Sequence, residues 1–360
     1  MAIVRATPTG PAALVRRFRS HHSAERPGAA AKLIASFRGE AAPRNTPSRA
    51  ELEASAARLP KPLGRIGALE LRLAERPKEV KRAQRLRYEV FYKEMAATAD
   101  PLAKLARRDM DAYDAVCDHL LVLDHGPKPA HPVASKLLAG LQGFDLKGFE
   151  AKAKAPFAIG ATPKAPKPRV VGTYRLLRQE QADRAFGFYT SGEFDIEPLI
   201  ARHPGLSFLE LGRSCVLKPF RDKRTVELLW HGVWSYVVAH DVDVMIGCAS
   251  LEGVDPARMA LPLSYLHHFH RAPAEWAAAA LPGRRTDMNL MPKEAIDLKA
   301  ALKALPPLIK GYLRLGAYVG DGAVIDRQFG TTDVLIVLPR AIINPRYVAY
   351  YGADASRHAA

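Results

Sequence analysis

Phe208-Leu209-Glu210-Leu211-Gly212-Arg213-Ser214-Cys215-Val216-Leu217 has the apolar alternation of a buried strand, yet it carries a glutamate and an arginine in its middle. Charges in a strand core are costly unless they are paired or have a task. Three other segments set charge in similarly apolar surroundings: Arg87-Tyr88-Glu89-Val90-Phe91, Asp111-Ala112-Tyr113-Asp114 and Gly172-Thr173-Tyr174-Arg175-Leu176. Together the four predict one site built from distant pieces of chain. Strict alternation puts Glu210 and Arg213 on opposite faces of the strand. For both to serve one site the strand must bulge, and Gly212 is the expected place.

Outward from this strand, Val226 to His240 reads as a helix with Leu229, Val233, Tyr236 and Val237 on one face, and Val242 to Cys248 reads as a strand. A strand-helix-strand passage implies a parallel pair joined by a crossover. Upstream, Ala68–Ala74 alternates like a strand, Pro77 opens a helix running to about Met95, and Asp118–Asp124 and Arg169–Arg178 are further strands. Residues 256–269 read as helix and Thr332–Leu338 as a last strand. The expected fold class is α/β, a mixed sheet flanked by helices. The expected organisation is a basic, mostly disordered extension over 1–62, with a short amphipathic helix around Lys32–Phe37. A folded unit over 63–345 follows, interrupted by a flexible Pro/Lys/Ala/Gly-rich insertion at about 125–168, and then a tail over 346–360.

Composition limits the partners. Hydrophobic residues make up 48% of the 360, enough for a substantial core, and the formal net charge is +16. Such a field favours an acidic partner: nucleic acid, an anionic membrane face or an acidic carrier protein. Aromatics are only 8% and no aromatic-interleaved basic block suggests a single-strand platform, which argues against nucleic acid. Cys117, Cys215 and Cys248 lie far apart with no CxxC pair, as in a reducing, cytoplasmic setting. The latter two read as core filler. No run of 18 apolar residues and no clean secretory leader is present.

Taken in order, the charged segments resemble the Gcn5-related N-acyltransferase (GNAT) superfamily. They resemble more closely two branches that draw acyl chains from acyl carrier protein, the acyl-homoserine-lactone synthases and the ornithine-lipid N-acyltransferases. The synthases' arginine followed by Val-Phe is matched by Arg87, Val90 and Phe91. Their paired aspartates are matched by Asp111 and Asp114, their Ala-Arg-Leu is approximated by Tyr174-Arg175-Leu176, and their Glu-x-x-Arg is matched by Glu210 and Arg213. The tryptophan they carry shortly after Val-Phe is missing, since Lys93-Glu94-Met95 stands there. Cys117-Asp118-His119-Leu120-Leu121-Val122 and the stretch Leu305 to Ala317 look like the ornithine-lipid branch.

That resemblance implies transfer of a 3-hydroxyacyl chain from acyl carrier protein to the α-amine of L-ornithine, giving lyso-ornithine lipid. No cofactor is implied beyond the phosphopantetheine thioester of the donor, and no metal. Alternatives are an acyl-homoserine-lactone synthase, or a non-catalytic module that binds carrier protein or membrane. Glu210 is the candidate base, with Arg213 beside it. Its apolar strand should raise its pKa and Arg213 should lower it. Arg87 or Arg175 would take the substrate carboxylate, Asp111 and Asp114 its second ammonium, and Phe91 belongs to the same substrate-binding set. The alternative for these charges is a network that fixes the first helix against the sheet. Coenzyme-A-using members cradle pyrophosphate on a glycine-rich helix N-terminus. Here Arg221-Asp222-Lys223-Arg224 lacks both glycines, and Arg221, Lys223 and Arg224 would instead suit an acidic carrier protein and its single phosphate. The anionic inner-membrane surface is a further expected partner.

Three other signals carry less. His119 and Asp124 fit His-x-x-x-x-Asp, but an apolar strand between them turns them to opposite faces. His267, His268 and His270 lack nearby partners for a metal and suit a capping or surface role. Leu305–Leu315 reads as a membrane-facing or acyl-channel element, or as a loop and helix covering the core.

Overall fold

The computed structural model describes residues 47–95, 97–126 and 167–351. The expected helix near Lys32–Phe37 and most of the insertion lie outside them. The strands are β1 (Gly64–Ile66), β2 (Leu69–Leu73), β3 (Asp118–Asp124), β4 (Arg169–Arg178), β5 (Phe194–Asp195), β6 (Phe208–Val216), β7 (Val244–Glu252), β8 (Ala279–Ala280), β9 (Arg285–Thr286), β10 (Tyr318–Asp326) and β11 (Thr331–Pro339). The helices are α1 (Arg49–Ala56), α2 (Pro77–Tyr88), α3 (Pro101–Ala106), α4 (Gln179–Arg184), α5 (Glu197–Arg202), α6 (Lys223–Ala239), α7 (Ala260–His270), α8 (Leu298–Ala304), α9 (Pro307–Arg314) and α10 (Pro345–Tyr351).

The strands form one mixed sheet in the order β1-β2-β3-β4-β6-β7-β11-β10-β8-β5, with β9 paired to β10. Period-two alternation sorts its side chains onto two faces. Along β7, Met245, Ala249 and Leu251 join the larger core while Val244 and Ile246 join the smaller. On β11, Val334, Ile336 and Leu338 go one way, Leu335 and Val337 the other. Helix α6 covers the larger core with Leu228, Leu229, Val233, Tyr236 and Val237. It links β6 to β7, which pair in parallel as its length and apolar face require.

That parallel pairing is short. It runs Phe208↔Val244, Leu209↔Met245 and Glu210↔Ile246 and goes no further, although both strands continue. Where they part, a side chain at Gly247 would meet the Leu211 carbonyl oxygen at 2.4 Å, so only glycine fits. Beyond Glu210 the facing edges of β6 and β7 carry backbone groups with no ladder partner between them.

Several sequence expectations need correction. Ordered structure starts before residue 63: α1 is closed by a Ser48/Glu51 capping box and buries Leu52 and Ala56 in the larger core. Its exposed polar face, with Arg49, Glu51 and Glu53, masked that short apolar stripe. The tail begins later than residue 346, because α10 packs Tyr347 and Val348 on the same core. The helix from Pro77 continues past Tyr88 as a π-helical segment, Glu89–Glu94, that carries Phe91. Strand β10 has no counterpart in the sequence reading, since its Gly-Asp-Gly interior reads as a turn. Leu305, Ile309, Tyr312 and Leu315 are buried, so the stretch around α9 covers the core.

Candidate active site

The site forms at the fork of β6 and β7. Residue pairing between β4 and β6 slips between Thr173 and Arg175, so that two β6 residues, Arg213 and Ser214, oppose Tyr174 alone. Arg213 has φ 51°, in the left-handed region. The expected bulge therefore exists, but it falls on Arg213 and not on Gly212. It turns Arg213 towards the face where Glu210, Arg175 and Asp111 lie. A non-glycine residue held this way costs about 1 kcal/mol or more, which the surrounding packing must offset.

Glu210 is buried. Its carboxylate accepts the backbone N–H of Tyr189 at 2.7 Å, the backbone N–H of Thr190 at 3.2 Å and the Thr190 hydroxyl at 3.1 Å. These donors sit on the short 3-10 helix Tyr189–Gly192. Burial pushes the Glu210 carboxyl up to about 7, against the opposing pull of Arg175 and the three hydrogen bonds. Burial raises it as expected, but the opposing charge is Arg175 and not the expected Arg213. The acid is half-ionised near neutral pH, which suits a proton acceptor.

Arg213 is held differently from the other two arginines. Its guanidinium lies 4.9 Å from the Tyr189 ring centre and 4.8 Å from that of Phe329. Its polar contacts are long: Asp111 at 3.4 Å, the Tyr189 hydroxyl at 3.5 Å and Asp109 at 3.5 Å, and its Nε makes no hydrogen bond. Phe91 supports this wall by meeting Phe329 edge to face at 5.6 Å.

Arg87, by contrast, is 1% exposed and tightly paired through Nε and Nη2, with its buried Nη1 left over. It donates to Asp109 at 2.7 Å and to both Asp114 oxygens at 2.8 and 2.7 Å. It cannot take a substrate carboxylate without breaking this pair. Asp114 is wholly buried, and it also accepts from Gln84 at 3.1 Å and Arg175 at 3.3 Å. Burial alone would raise its carboxyl, but Arg87 and Arg175 outweigh it and hold it well below the usual range. Arg175 is buried and donates to Asp111 at 2.6 and 2.8 Å. Arg87, Asp114 and Arg175 thus form the network that fixes α2 against the sheet. Asp111 stays at its margin, one quarter exposed.

The basic cluster also divides. Arg221 forms a bidentate pair with Glu94 at 2.5 and 2.9 Å and donates to the Val216 carbonyl, so it is already occupied. Lys223 and Arg224 are exposed in the first turn of α6. That turn is capped by the Asp222 carboxylate, which accepts from Thr225 N–H at 2.9 Å.

Asp109, Tyr189, Thr190 and Phe329 were not visible from sequence. Tyr189 and Thr190 act largely through backbone N–H groups, which leave no residue-type signal. Cys248 is not simple core filler: its thiol lies 3.8 Å from the Thr190 hydroxyl and beside Glu193. The discounted signals stay discounted. His119 bonds the Asp114 carbonyl, His268 the Met291 carbonyl and His270 the Tyr265 hydroxyl.

The chain is similar to several known proteins. Residues 86–231 match the family described as Acetyltransferase (GNAT) domain. The chain is 49% identical over 296 residues to an L-ornithine N(alpha)-acyltransferase of Brucella abortus (strain 2308), covering 82% of this chain and 92% of that one. It is 51% identical over 295 residues to the protein of that name from Rhizobium meliloti (strain 1021), covering 82% and 88%. Among solved structures, an N-acyl amino acid synthase from uncultured soil microbes aligns with a TM-score of 0.36 at 10% identity, covering 75% of this chain and 90% of that one.

Proposed function

Since this chain belongs to the L-ornithine N(alpha)-acyltransferase family, we propose that it transfers a 3-hydroxyacyl group from acyl carrier protein to the α-amine of L-ornithine, forming lyso-ornithine lipid. The observation that carries this is Glu210, a buried carboxyl poised near pH 7 at the last paired residue before β6 and β7 separate.

The separated strand edges offer unpaired N–H and C=O groups to an extended, amide-bearing chain, which is what a pantetheine arm is. Its thioester would lie at the fork. The ornithine ammonium gives one proton to Glu210, directly or through a water, and the free amine attacks the thioester carbon. Backbone N–H groups of β6 polarise the carbonyl. The tetrahedral adduct collapses with loss of the C–S bond, and a second proton passes from nitrogen to the leaving sulfur. No acyl-enzyme is needed. Burial pushes the Cys215 thiol up to about 12 and holds Cys117 and Cys248 well above the ordinary thiol value, so none is a ready nucleophile. No cofactor is required beyond the donor's own phosphopantetheine.

Arg213, with its loose polar contacts, is the group free to take the substrate α-carboxylate in a fork. Lys223 and Arg224 face solvent and suit the acidic carrier protein and its phosphate. The excess of basic residues over the whole chain favours loose attachment to the anionic inner face of a membrane. Among the described residues no helix is long and apolar enough to cross one.

Incubation with 3-hydroxyacyl carrier protein and L-ornithine, read by mass, should yield the ornithine amide. A lactone from S-adenosylmethionine, or no product from an active donor, would overturn the assignment.

A further inference from the structure

Three carboxylates converge beside the site and take no part in the chemistry above. Glu193 follows the 3-10 helix that holds Glu210, Asp326 ends β10, and Asp333 lies within β11. Their carboxylate oxygens lie within 4.8 Å of one another. Glu193 and Asp333 are 4% and 6% exposed. Glu193 Oε2 and Asp333 Oδ1 are buried without a hydrogen-bond partner. Buried polar atoms are nearly always satisfied, so two orphaned acceptors in one cluster point to a missing donor. Among the described residues the one cation paired with the cluster is Arg284, 3.6 Å from Glu193 and 40% exposed.

The cluster adjoins the acceptor site on two sides. The Thr190 hydroxyl donates to Glu210 and receives the Cys248 thiol, which in turn stands beside Glu193. Asp326 accepts from the N–H groups of Gln328 and Phe329, so it fixes the turn whose Phe329 ring lies against Arg213. Asp333 also feels the Arg213 charge.

We propose that Glu193, Asp326 and Asp333 bind the side-chain ammonium of the amino-acid acceptor and so select a diamino acid. This rests on the acyltransferase reading above and assigns the second ammonium to a different trio from Asp111 and Asp114, whose oxygens the arginines occupy. A primary ammonium offers three N–H donors. Three oxygens around a tetrahedral ammonium at ordinary hydrogen-bond length stand about 4.7 Å apart, in keeping with the observed spacing. The two nitrogens of extended ornithine are about 6 Å apart. Between Glu210 and the trio stand Thr190, 3.1 Å from Glu210, and Cys248, 3.8 Å from Thr190. Without a cation the trio repels itself: burial and Asp333 push the Glu193 carboxyl up to about 7, and burial raises Asp333. A bound ammonium relieves both.

The test compares L-ornithine with L-norleucine, which has a methyl group in place of the ammonium, in the wild-type protein and in Asp333→Asn and Glu193→Gln. Wild type should prefer ornithine in kcat/KM, and each variant should shrink that preference about tenfold or more. An unchanged preference in variants that still acylate ornithine overturns the trio alone. Failure of wild type to acylate ornithine overturns the function itself. Should the variants not fold, wild type still decides: 5-aminopentanoate must compete with ornithine at least tenfold more strongly than pentanoate, and equal or absent competition overturns the proposal. Activity that is abolished by EDTA and restored by Mg²⁺ or Mn²⁺ would reassign the trio to a metal and likewise overturn it.

Discussion

Glu210 and Arg213 meet on one residue: Tyr189 gives its backbone N–H to the Glu210 carboxylate at 2.7 Å and its ring to the Arg213 guanidinium at 4.9 Å. A regular strand would have sent these side chains to opposite faces. The bulge at Arg213 and Ser214 brings them together, and its left-handed residue is the backbone cost of doing so.

Arg213→Gly should separate strain from chemistry. Glycine accepts the left-handed backbone freely, so the unfolding midpoint in urea should hold steady or rise. The KM for ornithine should increase about tenfold or more with loss of a charge-assisted fork. Arg213→Lys should recover only part of the affinity. An unchanged KM in the glycine variant would remove Arg213 from substrate binding.

The four charged segments were legible because charge in an apolar strand or helix is expensive and therefore informative. The same rule applied to Thr331-Thr332-Asp333-Val334-Leu335 would have flagged Asp333, a buried acid on a strand otherwise read correctly. What charge could not reveal was which groups are already paired. Arg87 and Arg213 look alike in sequence, yet one is locked between Asp109 and Asp114 and the other is loosely held. That difference depends on a loop, 107–111, whose contacts have no periodicity to read. The parallel β6/β7 pair followed from the helix between them, whereas its early parting did not.

Asp114→Ala should act on stability before catalysis. It leaves Arg87 in the core with Asp109 as its one remaining carboxylate, and breaking a buried pair of this kind costs up to about 3–5 kcal/mol. Chemical unfolding should show the loss directly. A midpoint within error of wild type would mean that the Arg87 network does not hold α2 to the sheet.

Lys223→Glu with Arg224→Glu should raise the KM for acyl carrier protein about tenfold at low salt, with the deficit shrinking as salt rises, while the KM for ornithine stays put. Arg221→Ala should be milder towards the carrier, because its charge is already paired with Glu94. Equal effects of all three changes would mean that the tight Arg221–Glu94 pair leaves that cation as available for docking as Lys223 and Arg224, whose contacts to Glu227 and Asp222 are longer, at 3.5 and 3.3 Å.

Stability should fall as pH rises from about 4.5 to 7. Folded Glu210 and Glu193 keep protons that the unfolded chain releases in that window, so the unfolded state gains. At lower pH the sign reverses: Asp111 and Asp114 have depressed values when folded, so their contribution is present above about 4 and is lost as pH drops further. Thermal unfolding across this range should show a maximum on the acid side of neutrality, and Glu210→Gln should flatten its neutral limb. A midpoint that climbs steadily from pH 4.5 to 7 would contradict the raised carboxyls.

The most direct test is the pH dependence of kcat/KM for ornithine acylation, measured in wild type and in Glu210→Gln. Wild type should show a limb rising through about pH 7 as Glu210 ionises. The variant should fold normally, lose about a hundredfold or more in rate and lack that limb. A glutamine variant with the wild-type rate and the same rising limb would show that the proton leaves by another route, and the site at the fork of β6 and β7 would have to be drawn again.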